Sequence, residues 1–244
     1  MLSSSIKKFI KNSINAIGFD IMPMQKSPKH SLLGLRHLPI HSIIDVGANT
    51  GQFARHISTL FPGAHVFCFE PLPGPYKELN HWAKGQKHGK VTALNIALGA
   101  QEGTLEMYCH VEHSPSSSFL RATNICKKHY PFTQKQVSIP VKLMTLDKWI
   151  TSLTTHPVPE TLIKLDVQGY EERVIRGGQK IFTNARACIV EICLDKLYGD
   201  QASFKDISTL LYELGFDYAG NIGQFYGDDG HVIFIDALFI KKRS

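Results

Sequence analysis

Residues 42–51 read Ser42-Ile43-Ile44-Asp45-Val46-Gly47-Ala48-Asn49-Thr50-Gly51, and the fold turns on how that run is parsed. Ser42–Val46 is a short apolar strand, and Phe53, Ile57, Leu60 and Phe61 after it share one helical face. Glycines at such a strand-to-helix junction allow a sharp turn and let the backbone pass close to a ligand. A dinucleotide turn would read GxGxxG, whereas here Asn49 stands in place of the middle glycine and Asp45 precedes the first. Asp45 would repel a pyrophosphate. It suits a ligand whose near end is cationic, an ammonium and a sulfonium.

Outward from that turn, short apolar strands alternate with helices, the pattern of a doubly wound α/β sheet. Strands are predicted at His65–Phe69, Val91–Ile96, Leu162–Val167, Ala187–Ile192, near Phe216–Ala219, and at Val232–Ile240. Helices are predicted around Tyr76, Leu79 and Ala83, over Leu146–Leu153, from about Tyr170 to Phe182, and through Phe204, Ile207, Leu210, Leu211 and Leu214. After the third strand, Thr104–Cys109 and Val137–Leu143 read as an extra β-hairpin around a polar excursion, His110–Gln136.

Several polar residues in this frame point to chemistry. Glu70 ends the second strand, where an open sheet receives its ligand and an acid can accept both hydroxyls of a ribose. Lys164 and Asp166 share one face of the fourth strand by its period of two. A lysine and an aspartate in an apolar central strand are costly unless paired or functional, so the pair reads either as a brace or as part of a site. Glu171 follows one helical turn on, and Glu191 ends the fifth strand at the same rim. Asp166 is the first candidate for a general base, His113 in the excursion is the second, and Lys164 and Glu171 complete the catalytic set. His110 and His129 are weaker candidates. Asp166 and Glu191, as paired rim carboxylates, also offer a minor Mg²⁺ alternative.

Asp45–Gly51 (DVGANTG), Phe69-Glu70-Pro71, Asn95-Ile96-Ala97-Leu98-Gly99, Thr145-Leu146-Asp147, Ile163–Glu171 (IKLDVQGYE) and Val190-Glu191-Ile192 occur in one order. This ordered set resembles the FkbM family of S-adenosylmethionine-dependent methyltransferases, and the Asp236–Ile240 ending also fits. The resemblance implies a Rossmann-like class I methyltransferase fold, with a mostly parallel seven-stranded sheet whose last strand is antiparallel. It implies O-methylation of a sugar, glycan or polyketide-like hydroxyl. It further implies that Asp45, Gly47 and Asn49, with Gly51, line the methionine end of the cofactor, and that Glu70 and Pro71 lie at the ribose. Asn95 to Ala97 would lie beside the adenine, Ser117 in the segment Ser116–Ser118 near the cofactor, and Asp166 and Glu171 at the reacting centre.

The 244 residues suit one such domain over 42–244 with an appendage over 1–41. Of the net charge of +6, five units fall in that appendage, which holds six basic residues against the single acid Asp20. A nucleic-acid 2′-O-methyltransferase, the competing enzyme, would want the basic face on the body itself. An NAD-dependent oxidoreductase is disfavoured by Asp45 and Asn49, and a SAM-binding protein without turnover by the rim acids. Leu2 to Ile17 reads as a basic amphipathic helix, with Leu2, Ile6, Phe9, Ile10, Ile14 and Ile17 on one stripe and Lys7, Lys8 and Lys11 outside it. Such a helix packs on the domain, on a second subunit of a homo-oligomer, or weakly on an anionic membrane surface. Residues 22–41 read as a linker. The five cysteines lack a CxxC pair, and no signal peptide or spanning segment is evident, so a cytoplasmic location is expected.

Overall fold

The computed structural model describes residues 4–86, 90–153 and 160–242. In chain order the helices and strands are α1 (Ser4–Asn15), α2 (Pro28–Ser31), β1 (Ser42–Val46), α3 (Gln52–Leu60), β2 (His65–Phe69), α4 (Pro73–Lys84), β3 (Val91–Leu94) and β4 (Ala97–Leu98). There follow β5 (Gly103–His110), α5 (Asn124–His129), β6 (Gln136–Met144), α6 (Leu146–Ser152), β7 (Thr161–Leu165), α7 (Glu171–Arg176) and α8 (Gln179–Asn184). The chain closes with β8 (Ala187–Cys193), α9 (Phe204–Glu213), β9 (Phe216–Tyr226) and β10 (Val232–Lys241).

The main sheet has seven strands in the order β3-β2-β1-β7-β8-β10-β9, and β10 runs antiparallel to both its neighbours. β1 and β7 lie at its centre and are buried along their whole length, so beyond their first residues, Ser42 and Thr161, their sequences are apolar apart from the residues of the site. Alternate residues feed two cores. Ile44, Ile163 and Leu165 pack with Val174, Phe182 and Leu211 on one face, while Ile43 and Leu162 pack with Ala54, Ile57 and Leu79 on the other. The strand order reverses between β1 and β7, and a crevice opens there beyond the carboxyl ends of the strands. The excursion after β3 forms a second sheet, β4-β6-β5, in which β5 and β6 are the expected hairpin.

Four local expectations change. The segment read as a linker packs onto the body: Leu32, Leu35 and Ile40 are buried in the same core as Ile43 and Ile57. The helix expected from Tyr170 to Phe182 is two helices, broken at Gly177-Gly178. A Cβ at Gly177 would lie 1.9 Å from the Gly99 carbonyl oxygen, so the break marks a backbone-to-backbone approach that a continuous apolar stripe does not reveal. The third strand stops at Leu94, because Asn95 turns its side chain back to the carbonyls of Glu70 and Pro71 and the chain then leaves for the second sheet. Finally, β9 runs on to Tyr226, through Gly220 and Gly223 and three shifts of register that hide its alternation. Leu2, on the N-terminal stripe, lies outside the described residues.

Replacing Gly177 with alanine should cost about 1–3 kcal/mol or more, by forcing apart two backbones that cannot yield as a side chain can. Gly74→Ala, within α4 and facing open space, should be neutral or slightly stabilising. Urea unfolding midpoints of the two variants provide the comparison.

Candidate active site

The turn after β1 is assembled by two close backbone approaches. The N–H groups of Gly47 and Ala48 both donate to the Phe69 carbonyl at 3.0 Å, and Asp166 N–H donates to the Val46 carbonyl at 3.0 Å. Gly47 has φ +82, and a Cβ there would sit 1.9 Å from the Asp166 carbonyl oxygen, so only glycine lets β1 and β7 meet this way. Asn49 also has a positive φ; its Oδ1 accepts from Thr50 N–H at 2.9 Å and its Nδ2 donates to Ser114 Oγ at 3.1 Å. The turn is thereby tied to the excursion.

Beside this turn lies a cavity of about 700 Å³. Its lining includes Asp45, Gly47, Asn49, Glu70, Pro71, Ala97, His113, Ser117, Lys164, Asp166 and Glu191 from the expected set. Gly51, Asn95 and Glu171 are not in the lining. Gly51 starts α3 with φ +91 and faces Leu79 and Trp82, a helix-packing role. Asn95 holds the loop after β2 through the two carbonyls already named. Glu171 is buried and turns inward, where its Oε1 accepts from the N–H groups of Val167 at 3.0 Å and Gly169 at 3.2 Å. The expectation that Glu171 faces the reacting centre is therefore corrected: it braces the loop that carries Asp166.

The electrostatics are dominated by acids. Lys164, the one lysine of the lining, is 5% exposed and places Nζ 3.1 Å from Asp166 Oδ2 and 3.7 Å from Asp236 Oδ1. Burial pulls its pKa down, but Asp166, Asp236, Glu191 and Asp45 outweigh burial and hold it above the ordinary lysine range. Asp45 pairs in register with Lys164 across β1 and β7 and is 1% exposed. Burial raises its pKa to about 7 against the opposing pull of Lys164. Burial also raises Glu70 to about 7, although its two oxygens accept from Asn49 N–H at 2.8 Å and Leu72 N–H at 2.7 Å. Glu191 is pushed well above the usual range by burial, with Asp166 adding to the shift. One lining residue stands out, because Asp45 Oδ2 is buried without any hydrogen-bond partner. Native structures rarely leave such an acceptor unpaired without a reason.

A methyltransferase FkbM domain model matches residues 45–218. The chain belongs to the FkbM methyltransferase family. The protein is 26% identical over 185 residues to 2-O-methyltransferase NoeI of Sinorhizobium fredii, covering 74% of each chain. It is 30% identical over 148 residues to hexuronic acid methyltransferase AglP of Haloferax volcanii, covering 61% of this chain and 54% of that one. A crystal structure of methyltransferase FkbM from Methylobacillus flagellatus superposes with a TM-score of 0.56 at 13% identity, over 90% of this chain and 48% of that one, which shows the shared fold.

The family uses S-adenosylmethionine, and the residues present fit it. A cationic ammonium and sulfonium would meet the unpartnered Asp45 oxygen in a cavity lined by five carboxylates and one lysine, and the Gly47 turn leaves no side chain in the way. Asp166 and Glu191, the pair offered for Mg²⁺, are instead bridged by one amide: Gln168 Nε2 donates to Asp166 Oδ1 at 2.9 Å and to Glu191 Oε1 at 2.5 Å. With Lys164 on the other Asp166 oxygen, nothing in this geometry supports a divalent ion there.

Sequence reading missed Asp236, Gln168 and Tyr198. Asp236 is in register with Glu191 across β8 and β10, and an acid inside the apolar run Val232–Ile240 was its available signal. Gln168 takes φ +55, and Tyr198, 1% exposed, places its hydroxyl 2.7 Å from Gln168 Oε1 and 3.0 Å from the Ser116 carbonyl. No sequence signal joins Tyr198 to the site. Phe119, Tyr130, Phe132, Phe225 and Phe234 also contribute to the lining, with Phe225 and Phe234 stacked at 4.1 Å.

Asp45 carries a pH-dependent cost. A carboxyl whose pKa rises from 3.8 to about 7 on folding favours the folded state while protonated, so its contribution is full below about pH 3.8 and is lost as pH climbs through 7. Asp45→Asn should therefore gain stability over the parent between about pH 5 and about pH 8, by a few kcal/mol at most, with Asp166 and Asp236 still pairing Lys164. Urea unfolding at the two pH values measures this, and equal differences at both would contradict it.

Proposed function

We propose that this methyltransferase transfers the methyl group of S-adenosylmethionine to a hydroxyl oxygen of a sugar or glycan. The reading is carried by the buried, unpartnered carboxylate oxygen of Asp45 in a cavity whose lining combines acids with aromatic rings. Carboxylates and amides suit acceptor hydroxyls, and rings suit the apolar faces of a sugar. Two relatives bear names that fit: one is a 2-O-methyltransferase and the other a hexuronic acid methyltransferase. The same five carboxylates oppose a phosphate backbone, which argues against a nucleic-acid acceptor.

Bound S-adenosylmethionine supplies an electrophilic methyl on a sulfonium. Of the lining residues, Asp45, Gly47 and Asn49 would hold the amino-acid end, Glu70 the ribose, and Pro71 and Ala97 the adenine side, with Ser117 nearby. Asp166 accepts the proton of the acceptor hydroxyl. Its two oxygens are oriented by Lys164 and Gln168, which fixes the carboxylate without an additional side chain. Orientation of this kind supplies up to about 7–11 kcal/mol in a displacement, and a positioned base a further 10²–10⁴-fold or so. His113 is the alternative base; its Nδ1 lies 2.9 Å from Ser116 Oγ and its ring packs on Phe132.

Calorimetric titration with S-adenosylmethionine, followed by turnover with sugars, glycans and polyketide-like alcohols, tests the reading. Asp166→Asn should lower kcat by about 10²–10⁴-fold while leaving cofactor affinity within about threefold. Full turnover in that variant would move the base elsewhere, and no binding of the cofactor by the parent would remove the reading altogether.

The N-terminal helix supports a finer placement, at the cytoplasmic face of a membrane. Among the described residues no helix is long and apolar enough to cross one. Yet Phe9 is 73% exposed, and Ile17 and Phe19 are also exposed, with Lys8 and Lys11 on the same short segment. Apolar side chains flanked by lysines suit the interface of anionic lipids. Vesicles with about one-third anionic lipid should co-sediment the full chain and lose it on deletion of residues 1–22. Equal sedimentation of the two would end this part of the proposal.

A further inference from the structure

His129, Asp195 and His231 come from three separate parts of the chain and converge at one point. His129 ends α5, Asp195 follows β8, and His231 precedes β10. Asp195 Oδ2 lies 3.4 Å from His129 Nε2 and 3.0 Å from His231 Nε2, and one donor atom from each residue falls within 4.8 Å of the other two. Asp229 Oδ1 is hydrogen-bonded to His231 Nδ1, the far nitrogen of that ring.

We propose that these three side chains form a transition-metal site, filled best by Zn²⁺, that fastens together three segments bordering the acceptor side of the cavity. Two imidazoles and a carboxylate are a donor set that zinc accepts, with a water completing the tetrahedron. Bonds of about 2.0–2.1 Å at tetrahedral angles place neighbouring donor atoms about 3.3–3.4 Å apart. Two of the three separations are already close to that. A plain ion pair needs one histidine on the carboxylate, whereas here two rings address the same oxygen. The carboxylate of Asp229 behind His231 is the arrangement that fixes the tautomer and direction of a metal-ligating histidine. Half or more of each side chain is withdrawn from solvent, with exposures of 24%, 25% and 41%, yet each remains open to an entering ion.

The consequence is mechanical. Within three residues of the three ligands lie Tyr130, Phe132, Leu197, Tyr198 and Phe234, all of which line the cavity. A bound ion would hold these side chains in one arrangement and so act on acceptor binding, remote from the Asp45 turn that serves the cofactor.

Full-length protein freed of metal by a chelator should bind one equivalent of Zn²⁺ and gain about 5–10 °C in Tm when the ion exceeds Kd by about a hundredfold. Co²⁺ in its place should show the absorption of a tetrahedral nitrogen–oxygen site. His129→Gln and His231→Gln should each abolish that absorption, and Asp229→Asn, which leaves all three ligands, should weaken Zn²⁺ affinity about 10–100-fold. Failure to bind Zn²⁺, or binding that both histidine substitutions leave unchanged, would overturn the proposal. Because these readouts need neither cofactor nor acceptor, they stand whether or not the sugar reading holds.

Discussion

One buried cation organises the catalytic end of this protein. Lys164 sits in the central strand, withdrawn from water, with Asp45, Glu191 and Asp236 around it on three other strands and Asp166 on the loop that follows its own. A lone ammonium in that position would be untenable, and so would four unshielded carboxylates, so each side of the cluster makes the other affordable. Acids outnumber the lysine, and burial raises the carboxyl pKa values of Asp45, Glu191 and Asp236, with Asp166 adding to each shift. A cleft left short of positive charge is prepared for a ligand that brings its own.

Close backbone approaches set the distances on which this cluster depends. Gly47 lets the end of β1 touch the Asp166 carbonyl, and Gly177 lets the break between α7 and α8 touch Gly99. Each brings elements nearer than any side chain would permit, and each sits beside a loop that carries a functional acid or its support. Glu171 belongs to the same logic, since its carboxylate satisfies the backbone of the Val167–Gly169 turn and leaves Asp166 facing the cavity.

The aromatic side of the cavity is built differently. Its rings come from the excursion and from the β9–β10 hairpin, elements that lean on the sheet rather than belong to its centre. Asn49, which donates to Ser114, joins the excursion to the turn after β1, and Ser118, which donates to the Gln168 carbonyl, joins it to the loop after β7. The His129–Asp195–His231 cluster gathers the end of α5, the turn after β8 and the start of β10 at the edge of this layer.

By itself the sequence determined the doubly wound fold, the switch point and the glycine turn after β1. Strands buried on both faces are unbroken apolar runs, and a glycine turn flanked by Asp45 and Glu70 is a local pattern that chain order preserves. The matched stretch from Asp45 onward carries the same information. Only the tertiary structure decided the rest. Whether Glu171 faced the cavity or the loop depended on which backbone N–H groups lay near it, and whether residues 22–41 were linker or core depended on a hydrophobic surface contributed by distant strands. Asp236 and Tyr198 join the site, and His129 and His231 meet at Asp195, through contacts between residues far apart in the chain. Such contacts leave no periodicity behind, because periodicity records which face of an element is buried and says nothing of what that face meets.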